Sequence, residues 1–273
     1  MCRLLGVVTS RPAPLERLLA GDLAAFRRLA DVHGDGWGLA YHPPGVGTGG
    51  RGGTGGGDPV VRKAPGHALS GTGFDAAVGS AETAAALVHL RKASVGMPVT
   101  PANTHPFAAD GVALAHNGFF APRSAVDPLA ARTGYVCAGD TDSERYFALV
   151  LDGLRAGPGR AAPHLALAGA AAEIDAVAEV ESLNALLLLP DALYAYARYE
   201  PSVVLARGGD ADSYGMAYRA DTTPDGAWRV VVASNGWDQP SPAWRPLPNG
   251  SVLEVRRDGG VRLHDDGAWR RAG

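Results

Sequence analysis

A cysteine stands at position two of this chain, directly after the first methionine. Initiator methionines are readily trimmed before small residues, and we expect Met1 to be removed here. Cys2 would then carry both a thiol and a free α-amino group. The pKa of an α-amine is ordinarily about 7.7–8.0, so the group can accept a proton near neutral pH. The pair is a nucleophile with its own base; the alternative is an inert cysteine at a frayed chain start.

Further polar residues lie where apolar segments end or where a helix begins. Arg91 and Ser94 lie at the end of one apolar segment, and Asn117 and Gly118 lie at the end of another. Asp142 opens a predicted helix. Strand ends and helix N-termini are places where a scaffold brings groups from distant segments together. These positions are therefore the candidates for a common site with the thiol.

Together with the thiol, these groups supply what an attack on an amide requires. Asn117 and Gly118 offer a side-chain amide and a backbone N–H to an oxyanion. Arg91 can hold a carboxylate through two parallel hydrogen bonds, and Asp142 can hold an ammonium group. Ordinary alternatives stay open: Arg91 as a surface strand residue and Asp142 as a complement to the helix dipole. The Asn-Gly pair is also a common turn.

The histidines offer a second kind of base. His33, His105 and His116 are the candidates for a cysteine–histidine pair. Because an α-amine makes a histidine base unnecessary, we interpret these three residues as structural. No pair of cysteines and histidines has the spacing of metal ligands, so we predict no metal site, and the chemistry above needs no organic cofactor. The second cysteine, Cys137, is interpreted as a small buried or loop residue.

The elements that position these residues change in type along the chain. Helices are predicted over 14–30, 76–86, from 140 onward and over 163–180. Strands are predicted over 4–8, near 36–41, and over 60–64, 86–94, 111–117, 185–189, 193–199, 203–207, 216–219, 228–234, 251–255 and 261–264. Thr141 and Glu144 form a capping box at the third helix. Strands, two consecutive helices and further strands argue for two stacked sheets with helices outside, and against a doubly wound parallel sheet.

Composition bounds the class of protein. Hydrophobic residues make up 46 % of the 273 residues and charged residues 19 %, with a net charge of −3, as in a globular protein without a nucleic-acid partner. We find no apolar run long enough for a membrane span and no signal peptide, and two cysteines suit a reducing compartment. We therefore expect a cytoplasmic protein without a membrane partner. The glycine-rich segment 43–59 is predicted to be a flexible loop, although it contains a weak GxGxxG match.

Six short motifs in order resemble the class II glutamine amidotransferases, N-terminal-nucleophile hydrolases whose mature chains begin with cysteine. The motifs are Cys2-Arg3-Leu4-Leu5-Gly6, Gly36-Trp37-Gly38, His89-Leu90-Arg91-Lys92-Ala93-Ser94-Val95-Gly96, Asn103-Thr104-His105-Pro106-Phe107, His116-Asn117-Gly118 and Asp140-Thr141-Asp142-Ser143-Glu144. The strand-rich half beyond residue 183 is similar to small stand-alone members, some of which resemble the γ-glutamyl amidohydrolase of ergothioneine biosynthesis. The resemblance implies an α+β fold, a four-layer αββα sandwich of two mainly antiparallel sheets, formed by 1–273 as a single glutaminase-type domain.

The resemblance also implies roles. It makes Cys2 and the oxyanion pair Asn117 and Gly118 catalytic. It assigns Arg91 to the α-carboxylate of the substrate and Asp142 to its α-ammonium group. Ser94 is included among the substrate-binding residues. Many members have an aromatic residue after the arginine, where this chain has Lys92, so the wall beside the γ-glutamyl group is expected to differ.

Three hypotheses follow for function. The first is hydrolysis of a γ-glutamyl amide, either glutamine or a γ-glutamyl conjugate, through a Cys2 thioester. The second is a glutaminase subunit that supplies ammonia to a separate synthase, with the segment 237–244 as an apolar patch at a tunnel mouth or, alternatively, a structural loop. The third is a catalytically silent γ-glutamyl-binding module. The sequence does not identify the amine that is released or the oligomeric state.

Overall fold

Two β-sheets lie at the centre of the protein. The computed structural model describes residues 1–45, 57–155, 162–240 and 242–265. The strands in chain order are β1 Arg3–Pro14, β2 Gly36–Tyr41, β3 Val60–Pro65, β4 Glu82–Arg91, β5 Phe107–Ala109, β6 Val112–Ala121, β7 Glu179–Leu188, β8 Ala192–Ala197, β9 Met216–Thr222, β10 Trp228–Ser234, β11 Arg245–Leu247, β12 Ser251–Arg256 and β13 Val261–Asp265. The first sheet has the order β11-β9-β10-β1-β4-β2-β3, and the second has the order β13-β12-β8-β7-β6-β5. The strand pairs described in both sheets are antiparallel.

The helices cover the outer faces of the sheets. They are α1 Leu15–Arg28, α2 Gly73–Gly79, α3 Arg123–Arg132, α4 Asp142–Arg155, α5 Pro163–Asp175 and α6 Pro201–Ala206. Apolar residues of α1 and α2 pack with the first sheet in one core cluster, and those of α3, α4 and α5 pack with the second sheet in another. A third cluster lies between the sheets. Three apolar layers between four layers of elements confirm the predicted αββα sandwich.

The space between the sheets is apolar in the middle and polar at one end. Leu4 of β1, Leu87 of β4 and Ala115 of β6 belong to the inner core cluster. Side chains of a strand alternate between its two faces, so residues two positions apart share a face. By this alternation Cys2, which directly precedes β1, and Asn117 of β6 face the inner space. The same rule places Arg91 there, at the end of β4.

Three sequence predictions need correction. The chain does not turn at Asn117 and Gly118: β6 runs through both residues to Ala121, because each pairs with a residue of β7. The segment predicted as a strand over 203–207 lies in the short helix α6, which Pro201 opens at a position where proline suits a helix start. The helix predicted over 76–86 is α2, ending at Gly79, and the remainder is the start of β4.

Other predictions agree with the structure. The hairpin between β7 and β8 and the helix opened by Asp142 are present. The first helix is present too, but it is kinked at Ala20, whose φ of 36° is not helical. The glycine-rich loop predicted over 43–59 lies mostly outside the described residues, since 46–56 are not described. Among the helices that are described, none is long and apolar enough to cross a membrane.

Candidate active site

Cys2 is held rigidly at the start of the central strand of the first sheet. The Leu4 N–H donates to Ser234 Oγ at 3.0 Å, and Arg3 Nη1 donates to the Cys2 carbonyl at 3.0 Å. Cys2 is buried, and its Sγ lies 3.7 Å from the carbonyl oxygen of Lys92. Burial raises the pKa of the Cys2 thiol, although the positive charges of the chain terminus and Arg91 act in the opposite direction. A thiol in this state needs a base before it can attack.

A cavity of about 230 Å³ opens onto the thiol. Of the residues predicted for the site, Cys2, Ser94 and Gly118 line it, together with Lys92, whose position departs from the family pattern. Met1 lines it as well. The sequence reasoning missed the rest of the wall, which is formed by Phe119, Glu181, Arg207 and Tyr214. These four residues lie on β6, β7 and the segments after β8, and they had no motif that could have indicated them.

Asn117 is fully buried, yet its side chain has no partner within the described structure. Neither Oδ1 nor Nδ2 of Asn117 makes a hydrogen bond. Its register partner on β7, Asn184, is also fully buried but is bonded at both ends: Arg198 N–H donates to Oδ1 at 2.7 Å, and Nδ2 donates to the Tyr214 carbonyl at 2.6 Å. An unpaired buried polar group costs about 1–3 kcal/mol. The amide of Asn117 is therefore a group that a ligand can complete.

Gly118 follows Asn117 in a place that admits no side chain. A Cβ there would overlap the carbonyl oxygen of Ser182 and would crowd Nε2 of His116. The close approach of β7 and of the His116 ring therefore requires glycine at this position. The structure thus brings a thiol, a backbone site at Gly118 and an unpaired amide to one end of the inner space.

Arg91 is buried at the end of β4. Its Nη2 donates to the Pro98 carbonyl at 3.1 Å, whereas Nη1 is buried without a partner in the described residues. Asp35 fixes the backbone around it, because the Asp35 N–H donates to the Arg91 carbonyl at 3.0 Å and Oδ2 accepts from Ala93 N–H at 2.8 Å. The unpaired guanidinium nitrogen rules out the surface strand residue considered above and leaves a donor for an anionic group. The sequence reasoning missed Asp35 as a positioning residue.

Asp142 lies next to the same strand as Asn117 and Gly118. Its Oδ2 accepts from the Phe120 N–H of β6 at 3.2 Å, and its Oδ1 accepts from Ser143 N–H at 2.8 Å. Its negative charge acts to raise the pKa of the Cys2 thiol, in the same direction as burial. The contact with the Phe120 N–H lies outside the helix and goes beyond a complement to the helix dipole.

The loop before α4 is tied down by the predicted capping residues. Glu144 N–H donates to Thr141 Oγ1 at 3.2 Å. The Glu144 carboxylate accepts from Ala138 N–H at 2.8 Å and from Gly139 N–H at 2.7 Å. In a standard capping box this carboxylate would instead accept from the backbone N–H of the cap residue. Glu144 thus fixes the approach of the chain to Asp142.

The histidines are buried and hold structural contacts. His33 Nδ1 lies 2.7 Å from the Met1 carbonyl, and burial lowers the pKa of His33 to about 4. His89 packs against His105 with ring centroids 4.2 Å apart and the rings tilted by 36°, and burial lowers the pKa of His89 to about 3. His116 bonds to Ser143 Oγ and the Ser182 carbonyl at 2.9 and 3.0 Å. In the described part of the chain, none of these rings is hydrogen-bonded to the thiol.

A larger cleft of about 550 Å³ lies beside the cavity. Tyr214 lines the cavity, and Gly215, the next residue, lines the cleft. Tyr199 in the wall of the cleft stacks on Tyr214 with ring centroids 6.2 Å apart. Trp237 and Trp244 meet edge to face in its wall at 6.3 Å. Trp244 is buried and Trp237 packs on Phe26, so these two side chains of the segment 237–244 contact the outer core of the first sheet.

The sequence pattern of the family described as class-II glutamine amidotransferases matches residues 1–268. The chain belongs to this family. Membership confirms the resemblance inferred from the six motifs, and the fold of the class II glutamine amidotransferases supports hydrolysis of a glutamine amide in general. Among curated proteins, no sequence matches this chain.

Solved structures of amidotransferases share this fold. A glutamine aminotransferase class-II domain protein from Silicibacter pomeroyi is 22 % identical with a TM-score of 0.63, covering 97 % of this chain and 99 % of that one. A predicted glutamine amidotransferase from Pseudomonas aeruginosa is 19 % identical with a TM-score of 0.53, covering 95 % and 99 %. Glutamine phosphoribosylpyrophosphate amidotransferase from B. subtilis is 13 % identical with a TM-score of 0.58, and the match covers 97 % of this chain and 49 % of that one. These likenesses establish the N-terminal-nucleophile hydrolase fold.

Proposed function

We propose that this class II amidotransferase hydrolyses a γ-glutamyl amide through a thioester on Cys2, after removal of Met1. The observation that carries the proposal is the convergence on one cavity of the Cys2 thiol and Gly118, next to the unpaired buried amide of Asn117. A nucleophile beside an amide that no other described group uses, and beside a backbone N–H, suits the attack on a carbonyl carbon and the oxyanion that follows.

The proposed reaction proceeds in two halves. The neutral α-amine of Cys2 accepts the thiol proton, and Sγ forms a bond to the amide carbon while the carbonyl electrons move to oxygen. Asn117 Nδ2 and the Gly118 N–H hold that oxyanion. The C–N bond then breaks, and the proton from the α-amine goes to the leaving nitrogen. Water attacks the thioester by the same route, releasing glutamate and restoring the thiol.

The glutamyl end of the substrate is held by opposite charges. Arg91 has an unpaired Nη1 for the α-carboxylate. Asp142 offers its carboxylate to the α-ammonium group, from a position fixed by the Phe120 N–H. Ser94 lines the cavity and is proposed to contact the same end. Two charged anchors at fixed places orient the amide carbon toward Sγ, which is a large part of catalysis in such sites.

The leaving amine is proposed to meet the part of the wall formed by Phe119, Glu181, Arg207 and Tyr214. Arg207 lies over the Phe119 ring at 5.0 Å and its Nε is 3.7 Å from Glu181, whose carboxylate also bonds to the Tyr214 hydroxyl. This wall presents both charges and an aromatic face. It therefore fits an amine larger than ammonia and favours a γ-glutamyl conjugate over glutamine.

A glutaminase subunit that supplies ammonia to a synthase is the second candidate. In the B. subtilis enzyme the match covers only 49 % of the chain, so the fold there accompanies a further segment. The two other structures are matched over 99 % of their own length, which fits either candidate. The packing of Trp237 and Trp244 against the core leaves less aromatic surface for a docking patch in the segment 237–244.

An activity screen of the purified chain tests the proposal. We expect hydrolysis of glutamine or of one of a panel of γ-glutamyl amides, and no turnover by Cys2→Ala with an unchanged circular dichroism spectrum. A glutamine-like electrophile should add one equivalent to the wild-type protein by intact mass, and none to Cys2→Ala. Cys137→Ala is the matched control and should keep both activity and labelling. Turnover by Cys2→Ala would refute the thioester, and activity only after addition of a synthase would favour the second candidate.

A further inference from the structure

Three metal-ligating side chains meet on the outer face of the second sheet. They are His164 at the start of α5, Glu254 on β12 and His264 on β13. One ligand atom from each lies within 4.8 Å of the others. His264 Nε2 is 2.8 Å from Glu254 Oε2, and the two imidazole rings stack with centroids 3.8 Å apart. Within the described residues, this is the one such group of three.

Strand register explains why the two strand residues are neighbours. His264 pairs with Val252, and Glu254 lies two positions along β12 from Val252, so all three side chains share one face of the sheet. Val252 packs in the outer core together with Leu167 of α5. The cluster therefore lies on the helix-covered face, whereas the Cys2 thiol faces the space between the sheets. It is separate from the proposed catalytic site.

We propose that His164, Glu254 and His264 bind one divalent transition-metal ion, with zinc as the representative. Two imidazole nitrogens and a carboxylate oxygen are a ligand set that zinc accepts, at about 2.0–2.2 Å from each ligand. The ion takes the place of the hydrogen bond between His264 Nε2 and Glu254 Oε2, and the rings tilt from their stacked arrangement to point both nitrogens at it. His264 keeps 22 % of its side chain exposed, so solvent can reach the ion and supply the remaining ligand.

The carboxylate at the centre of the cluster is already oriented. Glu254 is buried, and its Oε1 accepts from the Tyr194 hydroxyl at 3.2 Å while Arg256 Nη1 lies 4.0 Å from the same oxygen. Oε2 is thereby left for the metal. Outer partners of this kind fix the direction of a metal ligand and tune its affinity.

The ion would join three elements at the edge of the sheet. β13 is the outermost strand of the second sheet, and its Val261 and Leu263 are exposed. A bond from His264 to the metal would tie this edge strand to β12 and to the first turn of α5. Since the ion binds only the folded arrangement, its binding should raise the stability of the protein.

Metal titration of the untagged full-length chain tests the proposal. The protein is prepared with Cys2→Ala to remove one competing thiol, is stripped with a chelator, and is titrated with Zn²⁺ by calorimetry and by thermal unfolding. We expect one equivalent of zinc to bind and to raise the melting temperature. Single variants His164→Gln and His264→Gln should each weaken binding at least tenfold and abolish the shift. His67→Gln, at a partly exposed histidine elsewhere, should change neither.

A cobalt spectrum identifies the ligand atoms independently of stability. Co²⁺ should give visible bands without the intense sulfur-to-metal band of a thiolate ligand. His164→Gln is the safer variant because His164 lies at a partly exposed helix start, and it should lose the bands while its circular dichroism spectrum stays unchanged. No stoichiometric binding, binding that the two histidine variants leave unchanged, or a thiolate band would each overturn the proposal.

Discussion

Asn117 and Asn184 face each other across β6 and β7, and only one of them is used by the fold. Asn184 holds the backbone at Arg198 and Tyr214, whereas the amide of Asn117 has no partner in the described residues. A protein that retains an unpaired buried amide forgoes stability at that position. The contrast supports the proposed role of Asn117 in binding the substrate, whereas Asn184 holds the structure.

Replacing Asn117 or Asn184 by alanine tests this difference between the two residues. Asn117→Ala should lower kcat by about 10²–10³, the usual cost of losing one oxyanion donor, and should leave the free energy of unfolding unchanged or higher. Asn184→Ala should lower the free energy of unfolding by about 1–3 kcal/mol, since it leaves two backbone groups without partners. Steady-state kinetics and urea denaturation of both variants are the measurements. If the two variants lost the same factor in kcat and the same free energy of unfolding, the proposed division of roles between Asn117 and Asn184 would be wrong.

The base that activates Cys2 is also a question for single residues. Burial raises the pKa of the thiol, and burial lowers the pKa of His33 to about 4, so His33 is neutral throughout pH 5–8 and causes no change of charge there. If the α-amine is the base, activity should rise with pH through a midpoint near or somewhat below about 7.7, because only the neutral amine accepts a proton.

An uncleavable extension before Cys2 tests this base directly. It turns the amine into an amide, which cannot accept a proton, and it should abolish turnover. The trimmed protein measured beside it should show the acidic limb. Equal activity in the two forms would show that the α-amine is not the base, and His105 or His116 would then be the candidate base.

At the scale of elements, the sequence predicted most of what periodicity controls. Long apolar strands and the amphipathic α4 were recognisable because their side chains repeat on one face. The Asn-Gly pair in β6 was misread as a turn, since local turn chemistry is overridden there by pairing with β7 along both residues. α3 was missed because Pro128 interrupts its pattern, and the strands β5 and β11 have only three residues each.

The candidate site was predicted where a motif marked it and missed where only three-dimensional proximity does. Cys2, Ser94 and Gly118 come to one cavity as the strand ends suggested. Glu181 and Tyr214 reach it from segments far along the chain, and no spacing in the sequence relates them to the thiol. The cluster of His164, Glu254 and His264 was missed for the same reason, because its members lie 10 and 90 residues apart on three elements.

The start of α4 gives a prediction at the scale of elements. Glu144→Gln keeps the shape of the side chain but removes the charge that accepts from the Ala138 and Gly139 N–H groups. Charge-assisted hydrogen bonds are about twice as strong as neutral ones, so the loop before Asp142 should loosen. We expect a raised KM with a smaller change in kcat, and a melting temperature a few degrees lower. Glu173→Gln, an exposed partner of Arg132 on α5, is the control and should leave KM unchanged.

At the scale of the whole molecule, the sandwich separates an apolar middle from a polar end. The inner core is made of aliphatic and alanine side chains, and it gives way at one end to Cys2, His89, Arg91 and Asn117. The sheets thereby bury polar groups that a loop could not hold in fixed positions. The arrangement makes the stability of the entire fold sensitive to the protonation of groups at that end.

His89 shows the expected sign of this pH dependence. Burial lowers the pKa of His89 in the folded protein to about 3, below the value of about 6.5 for an unfolded chain, so between these values the unfolded state binds more protons. The stability contributed by the neutral ring is complete above about pH 6.5 and is lost as pH falls toward 3. From pH 7 to pH 5 the loss for one such histidine is about 2 kcal/mol.

Urea denaturation at pH 7 and pH 5 measures this contribution. The wild-type protein should lose free energy of unfolding between the two pH values, and His89→Gln should lose about 2 kcal/mol less over the same interval, whatever its stability at pH 7. The difference between pH values is the quantity to compare, because glutamine also changes the packing against His105. His67→Gln, at a partly exposed position, is the control for a general effect of removing a histidine. An identical pH dependence in the wild-type protein and His89→Gln would show that the ring at the polar end takes up its proton in the folded state as readily as in the unfolded one.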